Sequence, residues 1–140
     1  LPANIPLHDA VEQAARLGRF VDALHRGDGH EAARLMIDPL VEPCRSPLIP
    51  GFDTIKAAML SAGALAAGIS GSGPTIFAIF DDERTAGAAL ERARLWTSAV
   101  SGRTEAGPFS RLCAADKGAF ASLCVVDAIG VRVIPQEGRA

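Results

Sequence analysis

Val11, Ala14, Gly18, Val21 and Leu24 recur three or four residues apart, the spacing of one helical face. The period predicts a first helix from Asp9 to about Arg26. Asp9 reads as its N-cap, Glu12 as the reciprocal carboxylate three residues on, and Gly27 as its stop. A second short helix is expected over His30 to Ile37, closed by Pro39, because proline disfavours helix in the residue before it. The proline-punctuated stretch from Pro39 to Phe52 reads as extended or looped. Asp53 to Ser61 predicts a third helix with Gly63 as its C-terminal stop. Two short apolar runs follow, Ala64–Ile69 and Thr75–Phe80, and the small residues Ser70 to Pro74 join them. That is strand, tight glycine loop, strand. Glu83 to about Trp96 carries Ala86, Ala89, Leu90 and Ala93 on one helical face. Cys124–Val126 and Val131–Ile134 read as two final strands around a hairpin-like turn. The fold class is α+β, with helices packed on one face of an antiparallel sheet. The stretch 97–122, broken by Gly102, Gly107 and Pro108, is expected to be an atypical loop or insertion.

Composition narrows the class. The chain has 140 residues, enough for one domain with its own core, and nearly half of them are hydrophobic, which argues against disorder. The net charge of −2 gives no basic footprint for nucleic acid or an anionic membrane. No apolar run approaches the ~20 residues of a membrane helix. Cys44, Cys113 and Cys124 are odd in number and form no Cys-x-x-Cys pair, which reads as a reduced, cytoplasmic protein without disulfide framework or zinc site. The opening Leu1-Pro2-Ala3-Asn4 has neither initiator Met nor signal-peptide character, so the chain is expected to begin inside a longer protein.

Among candidate chemical groups, the loop Ser70-Gly71-Ser72-Gly73 stands first. Its glycines allow positive φ, and its successive amides can form an anion-binding concavity. On residue types alone a plain tight turn is equally open. Upstream, Arg45 offers a planar guanidinium that can hold a carboxylate through two parallel hydrogen bonds. An ion pair with Glu42, three residues away, is the other reading. His8, His25 and His30 do not converge, so no metal site is expected. Asp81-Asp82-Glu83 reads as carboxylates favoured by a helix dipole. Cys44, beside Arg45, reads as an ordinary thiol.

Two motifs together resemble the homoserine kinases, a family of the GHMP small-molecule kinases. Glu42 to Phe52 follows the pattern E-P-x-R-x-x-L-I-P-G-F, and Ala62 to Ala78 follows A-G-A-L-x-x-G-I-S-G-S-G-P-T-x-F-A. The resemblance runs from about residue 1 to 95 and returns weakly near Cys124 to Ile134. It implies the ferredoxin-like C-terminal domain of that family over residues 1–140, with the N-terminal ATP-binding domain absent from this chain. It implies transfer of the γ-phosphoryl of MgATP to the hydroxyl of L-homoserine, in threonine biosynthesis. Arg45 would hold the substrate carboxylate, with Glu42 orienting it or capping local backbone. Ser70 to Gly73 would be the third family motif, packed against the phosphate loop of the other domain. No catalytic residue and no metal ligand is expected in this half, because the family's P-x-x-x-G-L-G-S-S loop and magnesium-ligating glutamate lie upstream. ATP and Mg2+ would therefore be bound mainly by the absent domain, and this chain alone is expected to be inactive. The family is often dimeric, which admits a homodimer. Three other readings stay open: a 4-diphosphocytidyl-2-C-methyl-D-erythritol kinase or other GHMP kinase fragment, a non-catalytic α/β binding domain, and a fragmentary gene product.

Overall fold

The computed structural model describes residues 1–101 and 119–126. Helix α1 spans Leu7–His25 and α2 spans Gly29–Leu35. A short helix, α3, covers Glu42–Arg45 and runs into a 3-10 turn at Ser46–Leu48. Helix α4 spans Phe52–Ser61, strands β1 and β2 span Ala66–Ile69 and Ile76–Ile79, and α5 spans Glu83–Ser101. The strands pair antiparallel, with Ala66 opposite Ile79 and Ile69 opposite Ile76.

The core lies between one face of this hairpin and helices α4 and α5. Ile55, Met59, Ala67 and Ala89 form its centre, with Ile76, Ala78, Phe80 and Trp96 packed around them. Alanines on β1, β2 and α5 let the helices approach the sheet closely. Positive-φ glycines punctuate the chain where stops were expected: Gly27 follows α1 and Gly63 follows α4.

Several details depart from the sequence expectation. Helix α1 starts at Leu7, with Pro6 in the cap position and no side-chain cap, so Asp9 lies within the first turn and Asp9–Glu12 is not a capping box. Nothing after Pro6 breaks the helix, and Asp9 there still favours the dipole. The predicted face of α1 is also not the buried one. Val11, Val21 and Leu24 are 58%, 45% and 55% exposed, whereas Ala23 is buried, as are Ala32 and Ala33 of α2, the helix packed against α1. Spacing identifies an apolar stripe, but the neighbouring helix chooses which arc it covers.

The proline-rich stretch is helical rather than extended over Glu42–Leu48. Asp38 accepts from the amides of Leu40 and Val41 at 3.1 and 2.8 Å, which turns the chain around Pro39. Pro43 and Pro47 then fall in the first turns of their helices, where a proline lacks only a donor that needs no partner. Helix α5 continues to Ser101, past the expected end at Trp96. Residues 124–126 form no strand, and Val125 and Val126 are exposed. An apolar run becomes a strand only when a neighbour takes up its backbone groups, and the expected partner, Val131–Ile134, lies outside the described residues.

The Asp81–Glu83 junction is structural. Asp81 pairs with His30 at 3.1 Å. Asp82 caps α5, accepting from the Thr85 hydroxyl and from the Thr85 amide at 2.6 Å. These bonds, the hydroxyl first, hold the Asp82 carboxyl below its ordinary range. A carboxyl whose folded pKa is depressed contributes stability that is full above its unfolded pKa, about 3.9, and lost as pH falls through the lower folded value. Asp82→Ala is therefore expected to lower the melting temperature at neutral pH, with the gap closing below about pH 3.9. Thermal melts across that range check it, and a gap independent of pH would exclude the ionised cap.

Candidate functional site

Helix α3 and the glycine loop meet at one edge of the hairpin. Backbone bonds from Cys44 and Arg45 to the Val41 carbonyl, at 3.0 and 3.1 Å, place Arg45 at the end of the turn. From there its Nη1 donates to the carbonyl oxygen of Ser72 at 2.8 Å, across 27 positions of sequence. Its Nε is buried without a hydrogen-bond partner. One Nη hydrogen is thus used to anchor the guanidinium, and the other Nη donors remain for an incoming acceptor.

The loop that supplies the Ser72 carbonyl is tightly closed. Ser70 donates its amide to Thr75 at 2.8 Å, and Gly73 donates to Ser70 at 3.1 Å. Gly71 and Gly73 have φ of +59° and +75°, which residues with a side chain rarely adopt. A Cβ at Gly73 would stand 3.2 Å from both Ile49 Cδ1 and Ile69 Cγ2. The loop therefore rests on the side chain of Ile49, beyond α3. No described residue accepts from the Gly71 amide. The four loop residues singled out by sequence and Arg45 are brought together, and the contact to Ser72 uses its backbone carbonyl.

Glu42 does not pair with Arg45. Its Oε1 accepts from Lys56 Nζ of α4. Its Oε2 lies 3.0 Å from where a Cβ of Gly68 would sit, beside the Phe77 ring. The pair is largely enclosed, with side-chain exposures of 18% for Glu42 and 27% for Lys56. Lys56 Nζ also stands 5.6 Å over the ring of buried Phe52. Sequence reasoning missed both Lys56 and this use of Gly68. The available signal was Lys56 itself, the one basic residue of α4.

Behind α3 a cleft of about 290 Å³ opens between α1 and the outer face of the hairpin, lined by Arg16, Leu17, Phe20, Met36, Glu42 and Phe77 among others. Among the described residues no group of three or more His, Cys, Asp or Glu could hold a metal ion. No described helix is long and apolar enough to cross a membrane.

Residues 20–96 match the family described as GHMP kinases C terminal. The chain is 47% identical over 91 residues to the homoserine kinase of Chlorobium phaeovibrioides, covering 65% of this chain and 28% of that protein. It is 41% identical over 103 residues to the homoserine kinase of Chlorobaculum tepidum, covering 71% and 32%. The crystal structure of homoserine kinase from Cytophaga hutchinsonii superposes with a TM-score of 0.66 at 43% identity, over 71% of this chain and 32% of that one. The chain thus spans between 28% and 32% of the length of these relatives.

Proposed function

Because the chain belongs to the GHMP kinases through their C-terminal part, we propose that it is the C-terminal half of a homoserine kinase. The reaction is transfer of the γ-phosphoryl of MgATP to the side-chain hydroxyl of L-homoserine, a step of threonine biosynthesis in the cytoplasm. The observation that carries this reading is the anchored guanidinium of Arg45, held against the glycine loop with Nη donors to spare. An amino-acid substrate has a carboxylate, and a fixed guanidinium suits it better than a mobile ammonium. The relatives named homoserine kinase, at 41–47% identity, support the substrate class.

Phosphoryl transfer asks a protein for positioning and charge neutralisation more than for covalent chemistry. In this reading Arg45 binds the homoserine carboxylate and fixes where the hydroxyl points. Ser70, Gly71, Ser72 and Gly73 pack against the phosphate-binding loop of the ATP-binding domain and help shape the catalytic cleft between the two domains. The unpartnered Gly71 amide and the positive-φ backbone fit an approach to phosphate oxygens. ATP supplies the phosphoryl group. Magnesium enters with ATP and is bound mainly by the ATP-binding domain. In this reading the ATP-binding domain belongs to the remainder of the protein, and the active assembly is a homodimer of the complete chain.

The test is ADP release with MgATP, with and without L-homoserine. The complete gene product is expected to release ADP only with homoserine. The 140-residue chain alone is expected to release none above background. Homoserine-independent turnover, or robust turnover by the isolated chain, would overturn the proposal.

A further inference from the structure

We propose that Lys56 is a positioning residue for Arg45 and acts by keeping Glu42 away from it. The inference rests on the reading of Arg45 as the group that holds the substrate carboxylate. Glu42 and Arg45 stand at the two ends of one helical turn, α3. At that spacing a carboxylate and a guanidinium reach each other readily, and an ion pair is the default outcome. In the fold that pair does not form. Lys56 takes Oε1 of Glu42, and Oε2 lies on the Gly68 side, 3.0 Å from where a Cβ of Gly68 would sit. Among the described residues no carboxylate pairs with Arg45, and its Nη1 is tied to Ser72.

The device has three parts, each with a physical requirement. Gly68 leaves Glu42 its place, because a Cβ there would press on the carboxylate at 3.0 Å and on the Phe77 ring at 3.2 Å. Lys56 must be cationic, because a carboxylate this enclosed needs a partner. Its Nζ stands over the ring of Phe52, which is 2% exposed, so the ammonium has a second neighbour besides Glu42.

Removing the Lys56 cation should release Glu42 onto Arg45 and cancel the charge that binds substrate. In the complete gene product, Lys56→Met is expected to raise the homoserine KM about tenfold, with kcat and the ATP KM within about twofold. The double variant Glu42→Gln with Lys56→Met removes the competing carboxylate and should restore most of the homoserine KM. A purely structural role for Lys56 would give no such rescue. Gly68→Ala dislodges Glu42 by an independent route and should raise the homoserine KM likewise, which keeps the test open if Lys56→Met does not fold. The Arg45 Nε–H NMR resonance supplies a readout that needs no substrate, shifting in Lys56→Met and returning in the double variant.

An unchanged homoserine KM in Lys56→Met, or a double variant as impaired as the single one, overturns the inference where Arg45→Ala does raise that KM. If Arg45→Ala leaves the KM unchanged, the carboxylate reading falls and the resonance decides. Its shift and return would then uphold the positioning by Lys56, and a resonance that stays in place would overturn it.

Discussion

Arg45→Ala in the complete gene product is expected to raise the KM for L-homoserine about a hundredfold while the KM for ATP stays within about twofold. The size follows from what the side chain does in the proposed complex. Truncating one partner of a desolvated, hydrogen-bonded charge pair costs about 2–5 kcal/mol, and about 2.7 kcal/mol corresponds to a hundredfold. The selectivity follows from role: in the proposed complex Arg45, anchored to Ser72, meets the homoserine carboxylate, whereas ATP is held mainly by the ATP-binding domain. Arg45→Lys should recover little. A lysine keeps the charge but cannot bond to Ser72 and to a carboxylate in one plane. Steady-state kinetics with each substrate varied separately would decide. Equal homoserine KM values in parent and variant would sink the assignment of Arg45.

The second large effect is on stability. Gly51 caps α4 with φ of +72°, and a Cβ there would stand 2.8 Å from Nε1 of Trp96. Gly51→Ala therefore meets two penalties. Left-handed backbone costs a residue with a side chain about 1–2 kcal/mol. Pushing a side chain out of a packed position costs about 1–3 kcal/mol more. Together, at about 2–5 kcal/mol, these are two-fifths or more of the stability of a small domain at the lower end of its usual range, about 5–15 kcal/mol. Trp96 cannot retreat easily, because it packs against the core around Ile55 and Ala89 and its indole nitrogen is buried without a partner. It is also the one tryptophan of the chain. Urea unfolding followed by its fluorescence reads the effect at the site of the collision. A midpoint unmoved by Gly51→Ala would mean that the contact yields freely.

Both predictions concern positions that the sequence marked, though not for the same reasons. Arg45 stood out as a fork-shaped cation in a proline-rich motif and Ser70–Gly73 as a glycine loop, but nothing in the sequence showed that the two meet. Gly51 belonged to the same motif, yet nothing local showed Trp96 lying 45 positions further on as its neighbour. Glu42 shows the opposite case. Its spacing from Arg45 pointed to an ion pair, and the fold gave it to Lys56.

What the sequence by itself determined is local. Period and punctuation located α2, α4, the two strands of the hairpin and most of α1 and α5, because those are decided by neighbours within about four residues. The glycine stops at Gly27 and Gly63, and the cap at Asp82, obey the same short-range logic. What only the tertiary structure decided is pairing at a distance. Which arc of α1 is covered depends on α2, and residues 124–126 form a strand only where a neighbour takes up their backbone groups. The Arg45–Ser72 bond spans 27 positions and the Lys56–Glu42 pair 14. No helical or strand period encodes such separations. They are fixed when packing on the Ile55–Met59–Ala67–Ala89 core sets α4 against the hairpin and the surrounding charges find the partners left within reach.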